Sequence, residues 1–505
     1  MANLGQKVAK GATWVTLGTL VKQSVQFVVG MVLARLLTPT DYGTVALLSI
    51  FFTVAGSLAS CGFGNALVQK KDAGDLEFNS VFYSSLAMSL IVYVLLFFAA
   101  PYIARFYKTP VLCAVTRVSA IQFVLSSINS IQGAEISRKL WFDKGFKIRL
   151  VTCFVSAVFG IWFAYLGWGV WALVWASLLT SVSGIIASWT IVAWRPKLMF
   201  SFTAVKGLFS YGWKLSLSGL IHNIYMNLYG FLVGRIYTPA DLAYVNKGRH
   251  MPQLLMSTID GTILGVSFPA LARMQDDTER FREAMRRMLR CSTFLVFPLL
   301  AGLCLCARPI ILLLYGSQWE PSIPYVMVAC VNFSLLPFNT INTCAISARG
   351  RSDVYLWLEI IKKGTGLMLM LLSIRHGVMA FMMTMAFIAS PFTVFVNTFA
   401  NGRLLKYNLL MQLHDIAPAA LLCTAMSAIV LGVQFAASPL LALLPGTHVA
   451  MVLEIVISAI VGVSCYFGLA RAFKLAALRD YLTMAQPILC KKAPRLARIV
   501  EWFAK

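Results

Sequence analysis

Lys22, Gln23 and Gln26 stand together inside a long apolar stretch, at offsets that place them near one another on a helix surface. Two hundred residues on, the same register brings His222 and Asn223, with Asn227 one turn later. Glu359, Lys362 and Lys363 form a third group, spaced for ion pairs at i+3 and i+4. One lysine is expected to pair with Glu359 and leave the other for a ligand. Arg117 and Asp260 stand singly in other apolar stretches. An ionised side chain in hydrocarbon costs at least ~2.5–3.5 kcal/mol, so each is expected to face an aqueous path or a partner. Cations outnumber the acids Asp260 and Glu359. That surplus suits an anionic ligand, because a phosphate or pyrophosphate sheds water on entering and needs charged donors in its place.

Lys22, Gln23, Gln26, Arg117, His222, Asn223, Asn227, Lys362 and Lys363 are therefore the candidate substrate-binding residues. Asp260 and Glu359 are candidate counter-ion or coupling-ion sites, with Asp260 read first as the counter-ion of Lys22. The bland alternative is polar glue between packed helices. Arg35 and Arg235 repeat, yet each precedes a Thr-Pro-x-Asp at a helix end, which reads as a helix stop and a turn. No P-loop, zinc-ligand spacing or nucleophile elbow occurs, so no enzyme, metal site or cofactor is expected beyond a coupling H+ or Na+. The eleven Cys are scattered through apolar segments and read as packing residues.

The elements that must position these groups follow from composition. The chain has 505 residues, 59% of them hydrophobic, with mean hydropathy +0.77. The expected fold is an all-α, polytopic membrane protein with about fourteen transmembrane helices, since each apolar run of ~20 residues can cross the ~30 Å hydrocarbon core. The run from Ala12 to Leu37 is too long for a signal peptide and reads as the first span. Others include 111–133, 148–167, 208–237, 289–315 and 353–374. The net charge of +24 comes from Lys and Arg in short loops, so nucleic acid is not an expected partner. With the N-terminus in the cytoplasm most basic residues fall in inner loops, which places both termini there. A short interfacial helix is expected at 273–289, and an amphipathic one in the tail, with Leu496, Ile499, Val500 and Phe503 on one face.

The chain also repeats. Leu33-Ala34-Arg35-Leu36-Leu37-Thr38-Pro39-Thr40-Asp41 recurs as Val233-Gly234-Arg235-Ile236-Tyr237-Thr238-Pro239-Ala240-Asp241. Gly30 recurs as Gly230, Leu17 as Leu217 and Leu20 as Leu220. Six spans per copy is an even number, so the copies enter the membrane in the same sense and form two bundles related by a parallel pseudo-two-fold. The expected division is 1–199 (spans 1–6), 200–405 (spans 7–12), 406–472 (two further spans) and 473–505 (basic tail).

Several stretches carry a family resemblance. Leu33 to Gly43 closes the first span, and Gly62-Phe63-Gly64-Asn65-Ala66-Leu67-Val68-Gln69-Lys70-Lys71 follows the second. Phe268-Pro269-Ala270-Leu271-Ala272-Arg273-Met274-Gln275-Asp276-Asp277 closes the eighth, and Tyr315-Gly316-Ser317-Gln318-Trp319 follows the ninth. Together they resemble the Wzx-type polysaccharide transporters of the multidrug/oligosaccharidyl-lipid/polysaccharide superfamily. The resemblance implies a bacterial inner-membrane flippase for an undecaprenyl-pyrophosphate-linked oligosaccharide unit of O-antigen, capsule or exopolysaccharide, working by alternating access. It implies membrane lipids as surroundings, and a polysaccharide polymerase and chain-length machinery as further partners. Lys22 lies where such proteins carry a cavity cation. The alternatives are a cation-coupled multidrug exporter of the same superfamily and a non-transporting scaffold for polysaccharide synthesis. Trp168, Trp171 and Trp175 suit sugar stacking and an interfacial belt equally.

Overall fold

The computed structural model describes residues 2–70, 72–442 and 446–481. The described chain is helical throughout, with no strand. In chain order the first helices are α1 (Ala2–Leu36), α2 (Pro39–Leu47), α3 (Ser49–Ser60), α4 (Phe63–Gln69), α5 (Asp75–Phe106), α6 (Val111–Ser119), α7 (Ile121–Arg138), α8 (Phe142–Tyr165), α9 (Val170–Ile191) and α10 (Phe202–Ile236). They are followed by α11 (Pro239–Ala272), α12 (Thr278–Leu305), α13 (Ala307–Tyr315), α14 (Ile323–Ser334), α15 (Leu336–Ala348), α16 (Ser352–Ser373), α17 (Val378–Thr384), α18 (Ser390–Leu405), α19 (Leu409–Ala442) and α20 (Thr447–Ala472). A backbone in lipid has no water to bond with, so each span satisfies its own carbonyls and amides as a helix.

Twelve helical segments among the described residues are long and apolar enough to cross a membrane. The other two expected spans, 208–237 and 353–374, fold as α10 and α16, of 35 and 22 residues. At ~1.5 Å per residue both can reach across ~30 Å. Both are less apolar because they carry the His222–Asn227 and Glu359–Lys363 groups.

The repeated Thr-Pro-x-Asp is a helix start in both copies. The Thr38 hydroxyl accepts from the Asp41 amide at 3.3 Å, and Asp41 Oδ2 accepts from the Thr38 amide at 3.0 Å. Thr238 and Asp241 repeat this at 3.2 and 3.0 Å. Each is a capping box with Pro at the first helical position, where its missing N–H costs nothing. A second duplication joins neighbouring helices and stands close to the same sequence offset. Ser188 donates to Asn129 between α9 and α7, and Ser390 donates to Asn332 between α18 and α14.

By packing, the chain forms two units, Met1–Ala243 and Tyr244–Lys505. In the first, α10 lies against α3, α4 and α5. Backbones there meet closely: a Cβ on Gly62 would stand 2.3 Å from the Gly212 carbonyl oxygen, and Gly62 also has φ of +69°. Phe231 stacks on Phe106 at 5.3 Å. The packing boundary falls one helix later than the start of the second sequence copy.

In the second unit α12 departs from expectation. The helix of 273–289 is not a separate piece on the membrane surface. Asp277 caps it, accepting from the Arg280 amide at 3.1 Å, and it then runs unbroken to Leu305. Phe281, Met285 and Leu289 are fully buried against Leu271, Phe338 and Ile341. The apolar face found its cover in the protein core, so no lipid surface was needed. The helices outside the repeat are fastened to α12. Arg286 binds Asp415 of α19 through two bonds of 2.8 Å, and the Tyr407 hydroxyl donates to Asp415 at 2.7 Å. Burial and that carboxylate hold the Tyr407 phenol well above its usual range, so it remains a donor. The amphipathic tail face of Leu496 to Phe503 lies outside the described residues.

Two prolines inside helices leave carbonyls unpaired one turn back, and a neighbouring helix answers each. Pro298 frees the Phe294 carbonyl, which accepts from the buried Tyr466 hydroxyl of α20 at 3.0 Å. Pro101 frees the Phe97 carbonyl, which accepts from Arg117 Nε at 3.3 Å.

Candidate functional site

Lys22 sits in the middle of α1, on the side that packs against α8. Gly18, one turn earlier, allows the approach: a Cβ there would lie 3.2 Å from the Phe146 ring and 3.5 Å from Arg149 Nη1. Trp14 meets Phe146 at 5.1 Å. Four turns on from Gly18, Leu33 comes within 3.8 Å of a Cβ built on Gly160. The two helices therefore run side by side in the same direction. Val25, Val29 and Leu33 continue the seam into a buried cluster with Ala164. Gly18, Lys22, Val25 and Val29 follow the i+4, i+3, i+4 rhythm of one helix face. Lys22 is thus a cation one turn from the point where Arg149 of α8 meets α1.

Among the described residues of the first unit, neither Lys22 nor Arg149 has an acid within ion-pair distance. Both side chains are exposed, as is Gln26, while Gln23 is half-buried. On α10, His222 and Asn223 are exposed. Asn227 is half-buried and turns its amide onto its own helix, donating to the Asn223 carbonyl at 2.8 Å. Arg149 was missed in the sequence because it stands at the edge of the span expected over 148–167 and was counted with the basic residues of the preceding inner loop. The helix begins at Phe142, so Arg149 lies two turns inside it. The aromatic Phe142 and Phe146, one turn apart, were the available signal.

Arg117 is engaged with α5. Its guanidinium satisfies the Phe97 carbonyl that Pro101 exposes and covers the Phe97 ring at 4.3 Å. Arg235 lies 4.8 Å from the Phe106 centroid, in keeping with a packing role at its helix end. Trp168 stacks on Phe163 at 4.7 Å.

In the second unit both lysines of α16 close on one acid. Lys362 Nζ lies 2.5 Å from Glu359 Oε1, and Lys363 Nζ lies 3.5 Å from Oε2. The expectation that one of them stays clear of Glu359 is corrected here. Lys362 is only 7% exposed, and a buried ammonium needs its carboxylate close. Asp260 of α11 accepts a hydrogen bond from Thr340 of α15. Its partner within the second unit is thus a hydroxyl.

A family model described as "Polysaccharide biosynthesis protein" matches residues 32–324. The chain is 24% identical over 485 residues to the teichuronic acid biosynthesis protein TuaB of Bacillus subtilis (strain 168), covering 94% of this chain and 97% of that protein. It is 23% identical over 358 residues to the succinoglycan biosynthesis transport protein ExoT of Rhizobium meliloti (strain 1021), covering 70% and 72%. Among solved structures, the fold is similar to that of "Lipid II flippase MurJ, inward closed conformation", with TM-score 0.69 and 12% identity over 91% of this chain and 99% of that one.

Proposed function

We propose, from the premise that the chain belongs to the polysaccharide biosynthesis protein family, that it carries a lipid-linked oligosaccharide across the bacterial inner membrane by alternating access. That membership places it among the polysaccharide transporters of the multidrug/oligosaccharidyl-lipid/polysaccharide superfamily. Its substrate in this reading is an undecaprenyl-pyrophosphate-linked repeat unit, and both termini lie in the cytoplasm. The glycan passes through a polar path while the polyprenyl tail stays in the bilayer. A polymerase and chain-length machinery take the product.

The observation that carries the reading is Lys22, a cation midway along a membrane-length helix with no acid paired to it among the described residues of the first unit. An unneutralised ammonium at that depth is costly, and an anionic ligand offsets the cost. Gln23 and Gln26 on the same helix, and His222, Asn223 and Asn227 on α10, supply neutral donors suited to the head group and sugars. Lys362 and Lys363 add one net positive charge after Glu359 is counted. Asp260 is the proposed site of a coupling proton or sodium ion, since its partner in the second unit, Thr340, is neutral.

Replacing Lys22 with Ala is expected to lower glycan export at least ~100-fold, as expected for losing a charge-assisted contact to a desolvated phosphate. Protein level and melting temperature should hold. Export from cells lacking the native gene, complemented with each variant, is the readout. Undiminished export would remove Lys22 from the site and take this reading's main support with it.

A further inference from the structure

We propose that Arg149 is a second phosphate-binding residue, and that with Lys22 it forms a two-cation clamp for a diphosphate ester at the seam of α1 and α8. The inference rests on the flippase reading. It adds a residue that the spacing of charges along the chain had assigned to a loop.

The argument is electrostatic. α1 and α8 run in the same direction, and Arg149 Nη1 lies 3.5 Å from the Cβ position of Gly18, one turn before Lys22. Lys22 follows Gly18 by one turn on the same face of α1, so the two cations stand near one level of the seam. Like charges on facing helices repel, and low-dielectric surroundings sharpen that repulsion. Two other pairs of neighbouring cations, both in the second unit, have an acid between them. Arg287 and Arg290 share Asp480 at 3.2 Å each, and Lys362 and Lys363 share Glu359. Lys22 and Arg149 share none among the described residues of the first unit. A position where an acid would relieve the strain and is lacking is a position shaped for an external anion.

The chemistry of the pair narrows the anion. Arg149 offers a planar fork that matches two oxygens of one phosphoryl group, and Lys22 offers a point charge for a second. A diphosphate uses both; a monophosphate uses one well. Gly18 keeps the helices close enough for a single head group to span the pair. The same chemistry could come from the polyprenyl diphosphate of a carried glycolipid or from an anionic phospholipid.

The test is binding to the purified full-length protein in micelles, read by native mass spectrometry. The probes are undecaprenyl diphosphate, undecaprenyl monophosphate and phosphatidylglycerol. Arg149→Ala should weaken diphosphate binding by about 10–100-fold, the scale of a charge-assisted contact, and monophosphate binding by less than about 5-fold. Arg149→Lys should recover part of the loss. Arg149→Glu should abolish diphosphate binding while raising the melting temperature, because the new acid pairs with Lys22. A merely structural Arg149 would instead lower the melting temperature in all three variants and leave probe preference unchanged, which overturns the clamp. Equal losses for diphosphate and phosphatidylglycerol would reassign the seam to bulk lipid and also overturn it. If Lys22→Ala stops export while Arg149→Ala leaves export and diphosphate binding intact, the clamp fails and the flippase reading stands. If neither variant changes export, both fail.

Discussion

Lys22 and Lys362 are both lysines inside membrane-length helices, and the protein treats them in opposite ways. Lys362 is buried to 7% exposure and held 2.5 Å from Glu359, with Lys363 closing on the same acid. Lys22 is exposed, faces another cation across the α1–α8 seam, and has no acid paired to it among the described residues of the first unit. In the first arrangement the buried ammonium has its own carboxylate within the chain. The second is left charged, and charge left standing at depth is available for work on something that is not the protein. A count of cations along the sequence treats the two as equals; their surroundings separate them.

The largest way to break this comparison is to take the acid from the neutralised site. Glu359→Gln leaves Lys362 buried without its carboxylate, a change that costs ~3–5 kcal/mol where a buried pair is broken from one side. The melting temperature in micelles should fall sharply, and Glu359→Gln with Lys362→Met should restore most of it. Lys22→Met should do neither. If Lys22→Met destabilises as much as Glu359→Gln, the distinction is gone.

The converse change makes the open site resemble the closed one. Gln26→Glu puts an acid four residues from Lys22, within reach of its ammonium. Export should drop by at least ~10-fold while stability moves by only ~0.3–0.5 kcal/mol. Transport in complemented cells, paired with melting curves, would register both. The smallest effect compares the two sequence copies rather than the two lysines. Thr38→Ala and Thr238→Ala each remove one side of a matched capping box and should each cost ~1 kcal/mol. Unfolding of the two variants in the same detergent should give losses that agree within ~0.5 kcal/mol; a clear inequality would mean that the second copy no longer relies on its cap.

Much of the architecture was legible before any coordinates. Apolar runs of the right length become helices because lipid permits little else, and the Thr-Pro-x-Asp repeat becomes two capping boxes because every atom involved lies within four residues. The motifs behind the family resemblance also have local causes. Gly316, at φ +94°, turns the chain so that Tyr315 and Trp319 are both buried beneath Lys247, whose ammonium lies 4.2 and 5.1 Å from their ring centroids. Arg117 was read as a ligand-binding candidate because nothing near it in sequence accounts for it. Its partner is the Phe97 carbonyl, twenty residues away and exposed by Pro101. The apolar stripe of Phe281, Met285 and Leu289 was read as membrane-facing, since a sequence shows that a face is apolar without showing what covers it.

The amino-acid order alone determined that this chain is helical, duplicated and built to lie in a membrane, because hydrophobic periodicity, span length and caps act over a few turns of one helix. Tertiary structure decided which charges are satisfied. Coulomb energy depends on distance through space and on burial, and neither the closeness of Arg149 to Gly18 nor the depth of Lys362 is encoded in separation along the chain.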